Sequence, residues 1–206
     1  MRRLIASLMT TVVLLVIAGP VRAGIVYDNG PINGTISAYN VSNYTTTDSF
    51  TISAATNLVQ AAVGLWVDPG ASPTSIDWSI GTSAFGSDVS SGTSTPSNTF
   101  FGLGFGLYYI YESVFSISGT VAPGTYWLTL TNTGTTDGNA AYWDENDGPS
   151  SAQQTSTGVI PSESFQIFDA SASVPEPSTL ALSSILFGVF GTAWARKRMK
   201  RPIAAA

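Results

Sequence analysis

The chain has 206 residues, with thirteen acidic and eight basic side chains and neither cysteine nor histidine. All eight Lys and Arg lie before residue 24 or after residue 195, so residues 24–174 carry twelve acids and no cation. This composition excludes disulfides and nucleophiles that depend on His or Cys. It also excludes nucleic acid as a partner, because phosphates need cations to bind them. Divalent cations and neutral glycans remain as partners for the middle of the chain.

The first 23 residues have the layout of a secretory signal peptide. Two arginines precede an uncharged, mostly apolar stretch over 4–18, and the helix-breaking pair Gly19-Pro20 leads to the cleavage site Val21-Arg22-Ala23. We expect signal peptidase to remove residues 1–23 from an exported chain. An uncleaved signal anchor is the alternative.

Residues 24–173 alternate between apolar and polar side chains with a period of two, which is typical of half-buried strands. The alternating runs are GIVY near residue 24, LVQAAVGLWV (58–67), TSIDWSI (74–80), YYIYESVFSI (108–117), GTYWLTLT (124–131) and SFQIF (164–168). Turn-forming residues fill the gaps, and the pattern of an amphipathic helix is absent before residue 174. The sequence therefore predicts an all-β domain over 24–173, an antiparallel, jelly-roll-like β-sandwich.

Two segments of this domain have unusual compositions. GSDVSSGTSTPSNT (86–99) is rich in Ser, Thr and Gly, and we expect one long loop there. FFGLGFGLYYIY (100–111) intersperses glycines with large apolar residues, which is typical of a close-packed or bent strand. If it is exposed, the second segment is prone to aggregate.

The densest group of oxygen ligands is WDENDG (143–148). Asp144, Glu145, Asn146 and Asp147 offer carboxylate and amide oxygens within one turn, and Ca²⁺ takes about 6–8 oxygen ligands. The spacing differs from that of an EF-hand, since no acid follows Gly148 at the required distance. The segment predicts either a weak Ca²⁺ site or an ordinary turn, which uses the same residue types.

Aromatic residues near these acids suggest a sugar-binding platform. Trp127, Tyr142 and Trp143 carry rings that stack on sugars, and Trp127 lies on the Thr-bearing face of its predicted strand. Packing in the core of the sandwich is the alternative for all three residues.

A second function class is a carboxylate-dependent glycan hydrolase or lyase, which needs two acids and neither His nor Cys. The glutamates available to it are Glu112, Glu145 and Glu163. Their spacing selects no pair, so the sequence assigns no catalytic residue and favours a non-catalytic domain.

The composition changes abruptly at residue 174. Pro175-Glu176-Pro177 precedes an uncharged stretch, for which we expect a C-terminal transmembrane helix over 179–195. The basic tail over 196–201 then stops transfer and keeps this end in the cytoplasm. The cations of the tail are Arg196, Lys197, Arg198, Lys200 and Arg201. Two prolines hold the tripeptide extended, so a protease meets a pre-extended peptide at the membrane face.

In their order and spacing, residues 174–201 resemble a PEP-CTERM sorting signal. The resemblance implies a Gram-negative host in which an exosortase recognises the motif and cleaves near it. It also implies passage through the inner membrane to the cell surface or an exopolysaccharide matrix. We therefore expect an exported protein whose β-sandwich binds glycan or matrix components, with Ca²⁺ as the one candidate cofactor.

Overall fold

The structure is a computed structural model that describes residues 24–170. The expected signal peptide (1–23) and the expected sorting signal with its transmembrane helix and basic tail (174–201) lie outside the described residues. Residues 24–170 contain strands, turns and loops, and no helix among them is long and apolar enough to cross a membrane. The all-β prediction is confirmed for this part of the chain.

Thirteen strands form within the described residues. They are β1 (Gly24–Asp28), β2 (Ala38–Asn40), β3 (Thr46–Ile52), β4 (Thr56–Val67), β5 (Pro73–Gly81), β6 (Ser90–Ser94), β7 (Ser97–Gly104), β8 (Tyr108–Val121), β9 (Gly124–Thr135), β10 (Tyr142–Asp144), β11 (Ala152–Gln154), β12 (Gly158–Ile160) and β13 (Phe165–Asp169).

The strands form two antiparallel sheets that share one hydrophobic core. In the first sheet β4 is central: β13 and β10 pair with one of its edges, and β1 and β2 lie beyond them. β8 pairs with the other edge of β4, and β7 lies beyond β8. The second sheet has the order β12-β11-β3-β9-β5-β6. The prediction of an antiparallel sandwich agrees with this arrangement.

Alternation along the long strands decides which side chains enter the core. The predicted inward residues of β5, β8 and β9 are buried or pack on the core: Ile76, Trp78, Ile80, Tyr109, Tyr111, Phe115, Ile117, Tyr126, Leu128 and Leu130. In β4 the alternation that places Ala61, Val63, Leu65 and Val67 inward also predicts Val59 as a core residue. That prediction is wrong at this one residue, because Leu58 enters the core and Val59 does not. The pairing of β4 shifts register between Leu58 and Gln60, and such a bulge reverses which side chains face inward.

The expectation of one long loop over 86–99 is wrong. Ser90–Ser94 form the edge strand β6, which pairs with β5, and β7 begins at Ser97. Small residues suit β6 because the Trp78 ring lies against it. A Cβ on Gly92 would be 3.1 Å from that ring, and Trp78 Nε1 donates to Ser94 Oγ at 3.1 Å. Composition alone does not distinguish such a strand from a loop.

The two ends of the described domain lie together, since Gly24 pairs with Asp169. Asp169 also pairs with Leu58 near one end of β4, whereas Tyr109, beside the β7–β8 turn, pairs with Val67 at the other end. At about 3.3 Å per residue, the β7–β8 turn is about 30 Å from the chain ends. Residues 24–170 hold both sheets and the core between them, which is the property of a unit that folds by itself.

Candidate functional site

The WDENDG segment begins as strand β10 and inserts its tryptophan into the core. Trp143 is 0 % exposed, and its Nε1 donates to the Ser164 carbonyl at 2.8 Å. Trp143 pairs with the core residue Leu65, so its neighbours Tyr142 and Asp144 point to the outer face of the first sheet. Trp143 is a packing residue in this structure, which is the alternative that the sequence left open for it.

Asp144 fixes the loop after β1 to this outer face. Its Oδ2 accepts from the Asn33 backbone N–H at 2.7 Å. Its Oδ1 accepts from the Gly34 N–H at 2.9 Å and from Trp66 Nε1 at 2.6 Å. Burial raises the pKa of Asp144, although these donors oppose the rise by stabilising the carboxylate. The side chain predicted as a calcium ligand therefore serves as an anchor for the loop.

The other predicted calcium ligands have different surroundings. Asn146 is buried and its Oδ1 accepts from the Gly148 N–H at 3.0 Å, whereas Asp147 is exposed. Glu145 is buried and forms a β-bridge with Glu163. No group of three acidic side chains within residues 24–170 is placed to hold a metal ion. The predicted ligands of the WDENDG segment are therefore not brought together around one point.

Three acidic side chains of the domain are buried close to one another, and we call them the interior acid cluster. Asp48 and Glu163 are 0 % exposed, and Glu145 is 8 % exposed. Asp48 Oδ2 accepts from the Glu163 N–H at 2.8 Å and from Asn29 Nδ2 at 3.2 Å. Neither carboxyl oxygen of Glu163 has a hydrogen-bond partner. Glu163 is thus a fully buried acid whose side chain is unsatisfied.

Burial is the largest influence on the protonation of this cluster. It raises the pKa of Asp48 to about 6, against the hydrogen bond from the Glu163 N–H. It raises the pKa of Glu163 well above the usual range, and the charges of Asp48 and Glu145 raise it further. Residues 24–170 include no Lys, Arg or His that could pair with these acids. Protonation is therefore the means by which the cluster lowers the cost of its burial.

The two remaining stacking candidates lie in different sheets. Trp127 is half-buried in β9 of the second sheet, opposite Ser49 and Gly81 on the neighbouring strands. Tyr142 is half-buried in β10 of the first sheet, and its ring centroid is 6.1 Å from that of Tyr108. Trp127, Tyr142 and Trp143 therefore do not form one platform.

A groove of about 270 Å³ opens on the outer face of the first sheet. The loop after β1, the strands β4 and β13, and the strands β7 and β8 line it, with the side chains of Pro31, Ile32, Phe101, Glu112 and Gln166 among its walls. Gly64 is required in its floor, because a Cβ there would be 2.6 Å from Ser164 Oγ and 2.9 Å from the Ile32 side chain. Apolar walls and a few polar groups are the composition of a ligand site.

Sequence reasoning missed this groove. Glu112 and Gln166 are polar residues on the outer side of predicted strands, which is the ordinary pattern for a sandwich. Phe101 lies in the segment 100–111, whose unusual feature is the glycines among its large apolar residues, and these do not indicate a groove. The one signal was Gly64 inside an apolar run, since a glycine within a strand often marks a close approach of another segment.

Comparison with protein families identifies the C-terminal segment. Residues 173–198 match the family described as the PEP-CTERM protein-sorting motif. The chain carries a PEP-CTERM sorting motif. The match includes Pro175-Glu176-Pro177 and extends to Arg198, so Lys200 and Arg201 lie beyond it. A comparison with curated proteins found no match to the chain.

The PEP-CTERM motif implies that the protein is exported and sorted to the cell envelope or surface. It also implies that an exosortase processes the chain. The sequence prediction of this motif is confirmed. The motif itself lies outside the described residues, so the groove and the interior acid cluster are features of the sorted domain.

Proposed function

We propose that the chain is a non-catalytic display protein whose β-sandwich binds neutral polysaccharide at the surface or in the extracellular matrix of a Gram-negative bacterium. In this proposal, signal peptidase removes residues 1–23 and the segment 179–195 holds the chain transiently in the inner membrane. An exosortase then cleaves near Pro175–Pro177. The groove on the outer face of the first sheet is the observation that carries the binding role.

The groove offers a sugar ring the two kinds of contact that it needs. Phe101, Pro31 and Ile32 present apolar surface, on which the C–H face of a pyranose ring packs. Glu112 and Gln166 carry oxygens that accept from sugar hydroxyls. Sites that enclose a whole ligand measure about 300–1,000 Å³, so a groove of about 270 Å³ suits one unit of a longer chain.

The charge of the domain selects the class of polysaccharide. Residues 24–170 combine twelve acidic side chains with no cation, and Glu112 lies in the groove itself. A uronate or sulfated polymer would approach this surface against its field and would find no cation to pair with. A neutral polymer meets neither obstacle. We therefore propose an uncharged polysaccharide as the ligand.

The positions of the acids favour binding over hydrolysis. A glycosidase needs two carboxylates about 5–10 Å apart on either side of the scissile bond. Glu112 is the one carboxylate among the residues that line the groove, whereas Glu145 and Glu163 are buried. This arrangement supports a domain that holds a sugar without cleaving it.

Affinity electrophoresis tests the binding role. The fragment 24–170 is run through gels that contain dissolved neutral polysaccharides, with an alginate gel as the anionic comparison. We expect retardation in at least one neutral gel and none in alginate. Removing the aromatic wall with Phe101→Ala should weaken binding about fivefold or more, since aromatic contacts contribute about 1 kcal/mol or more. Tyr44→Ala, which removes an exposed aromatic ring of the described domain outside the groove lining, is the matched control.

Two results would overturn the binding role: unretarded migration in every neutral gel, or equal losses in Phe101→Ala and Tyr44→Ala. The processing steps are tested separately by mass spectrometry of the protein recovered from its native host. We expect a mature chain that begins at Gly24 and ends near Pro175–Pro177. Recovery of the full-length chain would contradict that part of the proposal.

A further inference from the structure

The β7–β8 hairpin exposes large apolar side chains that the groove does not use. We call Phe100, Leu103, Phe105 and Leu107 the hairpin surface; each is between 53 % and 67 % exposed. Phe105 touches Trp66 with its ring edge, at 5.3 Å between centroids, but remains 59 % exposed. Phe100 and Leu103 pair with Tyr111 and Tyr109, which pack on the core, so these two side chains flank the hairpin on its inner side. Phe105, against Trp66, flanks it on the outer side. Exposed large apolar side chains gathered on one hairpin typically mark an interaction site.

The same hairpin supplies an open sheet edge. β7 pairs with β8 on one side and with no other strand among the described residues. Natural edge strands are usually protected by lysines, prolines or inward-pointing charges. β7 has none of these between Ser97 and Gly104. An unprotected edge with apolar side chains is suited to antiparallel pairing with another strand.

Charge decides what the partner is. The chain has no charged residue between Asp88 and Glu112, a span that includes all of β7 and the hairpin turn. Every acid of the described domain therefore lies outside this span, and the nearest across the sheet is Glu112, which pairs with Thr99 and stands one strand in from the edge. Two copies of an acidic domain repel each other least where they meet through uncharged surface, whereas a cationic partner would be drawn to the acids instead.

We propose that two copies of this chain associate through the hairpin surface, with β7 of one copy pairing antiparallel with β7 of the other. Such a contact is isologous: the same patch on each copy meets itself about a two-fold axis. The four exposed side chains offer roughly 500 Å² per copy, before the paired backbone is counted. With that backbone, the contact reaches the lower limit of a specific interface, about 1,200 Å² in total.

The topology gives this association a consequence. The β7–β8 turn is about 30 Å from the pair Gly24–Asp169, where both ends of the described domain lie. Antiparallel pairing of the two β7 strands directs the two domains in opposite senses. The chain ends then leave the dimer on opposite sides, so each dimer links two attachment points instead of lying flat against one.

Light scattering coupled to size-exclusion chromatography tests the association on the fragment 24–170. We expect the mass of two copies for the wild type at about 100 μM, and the mass of one copy for Leu107→Asn and for Phe105→Asn. Asparagine leaves the net charge unchanged, and it tolerates a positive φ such as the 50° of Phe105. Val159→Asn is the matched control, because Val159 is 81 % exposed on the edge strand β12 of the other sheet.

The control should remain a dimer. A monomeric wild type at about 1 mM would overturn the proposal, as would a dimer that survives in both hairpin variants or that Val159→Asn disrupts. Because the chain has no cysteine, Leu103→Cys supplies a single attachment point for a short bifunctional cross-linker, and we expect cross-linked dimers from it and none from Val159→Cys. A monomer that instead binds vesicles of phosphatidylcholine would assign the hairpin surface to membranes and refute self-association.

Discussion

Replacing Glu163 with glutamine should make the described domain more stable than the wild type, by a margin that grows as the pH rises. Glu163 is fully buried, and neither of its carboxyl oxygens has a hydrogen-bond partner. Glutamine keeps the size and the polarity of the protonated acid but cannot ionise. The variant therefore removes the cost of forming a carboxylate in the interior while leaving the packing nearly unchanged.

The sign and the magnitude follow from the linkage between protonation and folding. Burial raises the pKa of Glu163 in the folded chain well above its ordinary value of 4.5. The contribution of Glu163 to the free energy of unfolding is fully present below pH 4.5, and it is lost as the pH rises from there through the folded pKa. In that window the free energy of unfolding falls by about 1.4 kcal/mol per pH unit. Asp48, whose pKa rises from 3.8 to about 6, adds a loss of about 3 kcal/mol over its own window.

Urea unfolding from about pH 4.5 to about pH 8 measures this effect. The wild type should lose stability across the range, and Glu163→Gln should lose about 1.4 kcal/mol less per pH unit until the folded pKa of Glu163 is passed. Glu112→Gln, which removes a carboxylate from an exposed position, should follow the wild type. Parallel curves for wild type and Glu163→Gln would show that Glu163 does not change its protonation on folding.

Three further outcomes follow from the packing around the groove and β10. Gly64→Ala places a Cβ 2.6 Å from Ser164 Oγ, so it should cost about 1–3 kcal/mol of stability and lower the Tm. Gly102→Ala is the control: the space around Gly102 is open, so the Tm should not fall. Trp143→Phe removes the hydrogen bond to the Ser164 carbonyl and part of a buried ring, so urea unfolding should show a loss of stability above about 1 kcal/mol. A smaller loss would contradict the packing role assigned to Trp143. Because the Asp144 carboxylate already accepts three N–H groups, millimolar Ca²⁺ should leave the Tm unchanged; a calcium-dependent rise that Asp144→Ala abolishes would overturn this expectation.

The long strands could be predicted because their alternation extends over many residues. β5 and β9 bury the side chains that the sequence places inward, and their outward residues are polar apart from Trp127. Prediction stopped where alternation is broken or short. The bulge in β4 turns Leu58, instead of Val59, into the core. Strand β6 consists of Ser, Gly and Thr, and these small residues are suited to a strand only because the Trp78 ring, distant in sequence, lies against them. Such effects depend on contacts across the fold and are not encoded in local periodicity.

The candidate site was harder to predict because its residues come from distant segments. Asp144 is a residue type that binds calcium, yet its carboxylate oxygens already accept hydrogen bonds from Trp66 Nε1 and from the backbone N–H groups of residues 33 and 34. Nothing within WDENDG indicates those partners. Phe101 and Gln166 meet at the groove only because β7 and β13 join the same sheet through β8 and β4. The sorting motif, by contrast, is a contiguous segment, and its order alone was sufficient to recognise it.

The groove and the proposed contact share β7, because Phe101 of β7 is a wall of the groove. They use different sides of that strand, since the groove opens on the outer face of the sheet whereas the pairing of two β7 strands uses the backbone groups at the sheet edge. The groove opens over Val63 and Gly64 of β4, whereas the β7–β8 turn lies beyond Val67. A dimer formed through β7 therefore keeps two open grooves, one on each copy. When both grooves engage one polysaccharide chain, the second contact forms at high effective concentration, and avidity can exceed the affinity of either groove by about 10²-fold or more. A shallow groove that holds one sugar unit weakly is then sufficient for firm attachment to a long polymer.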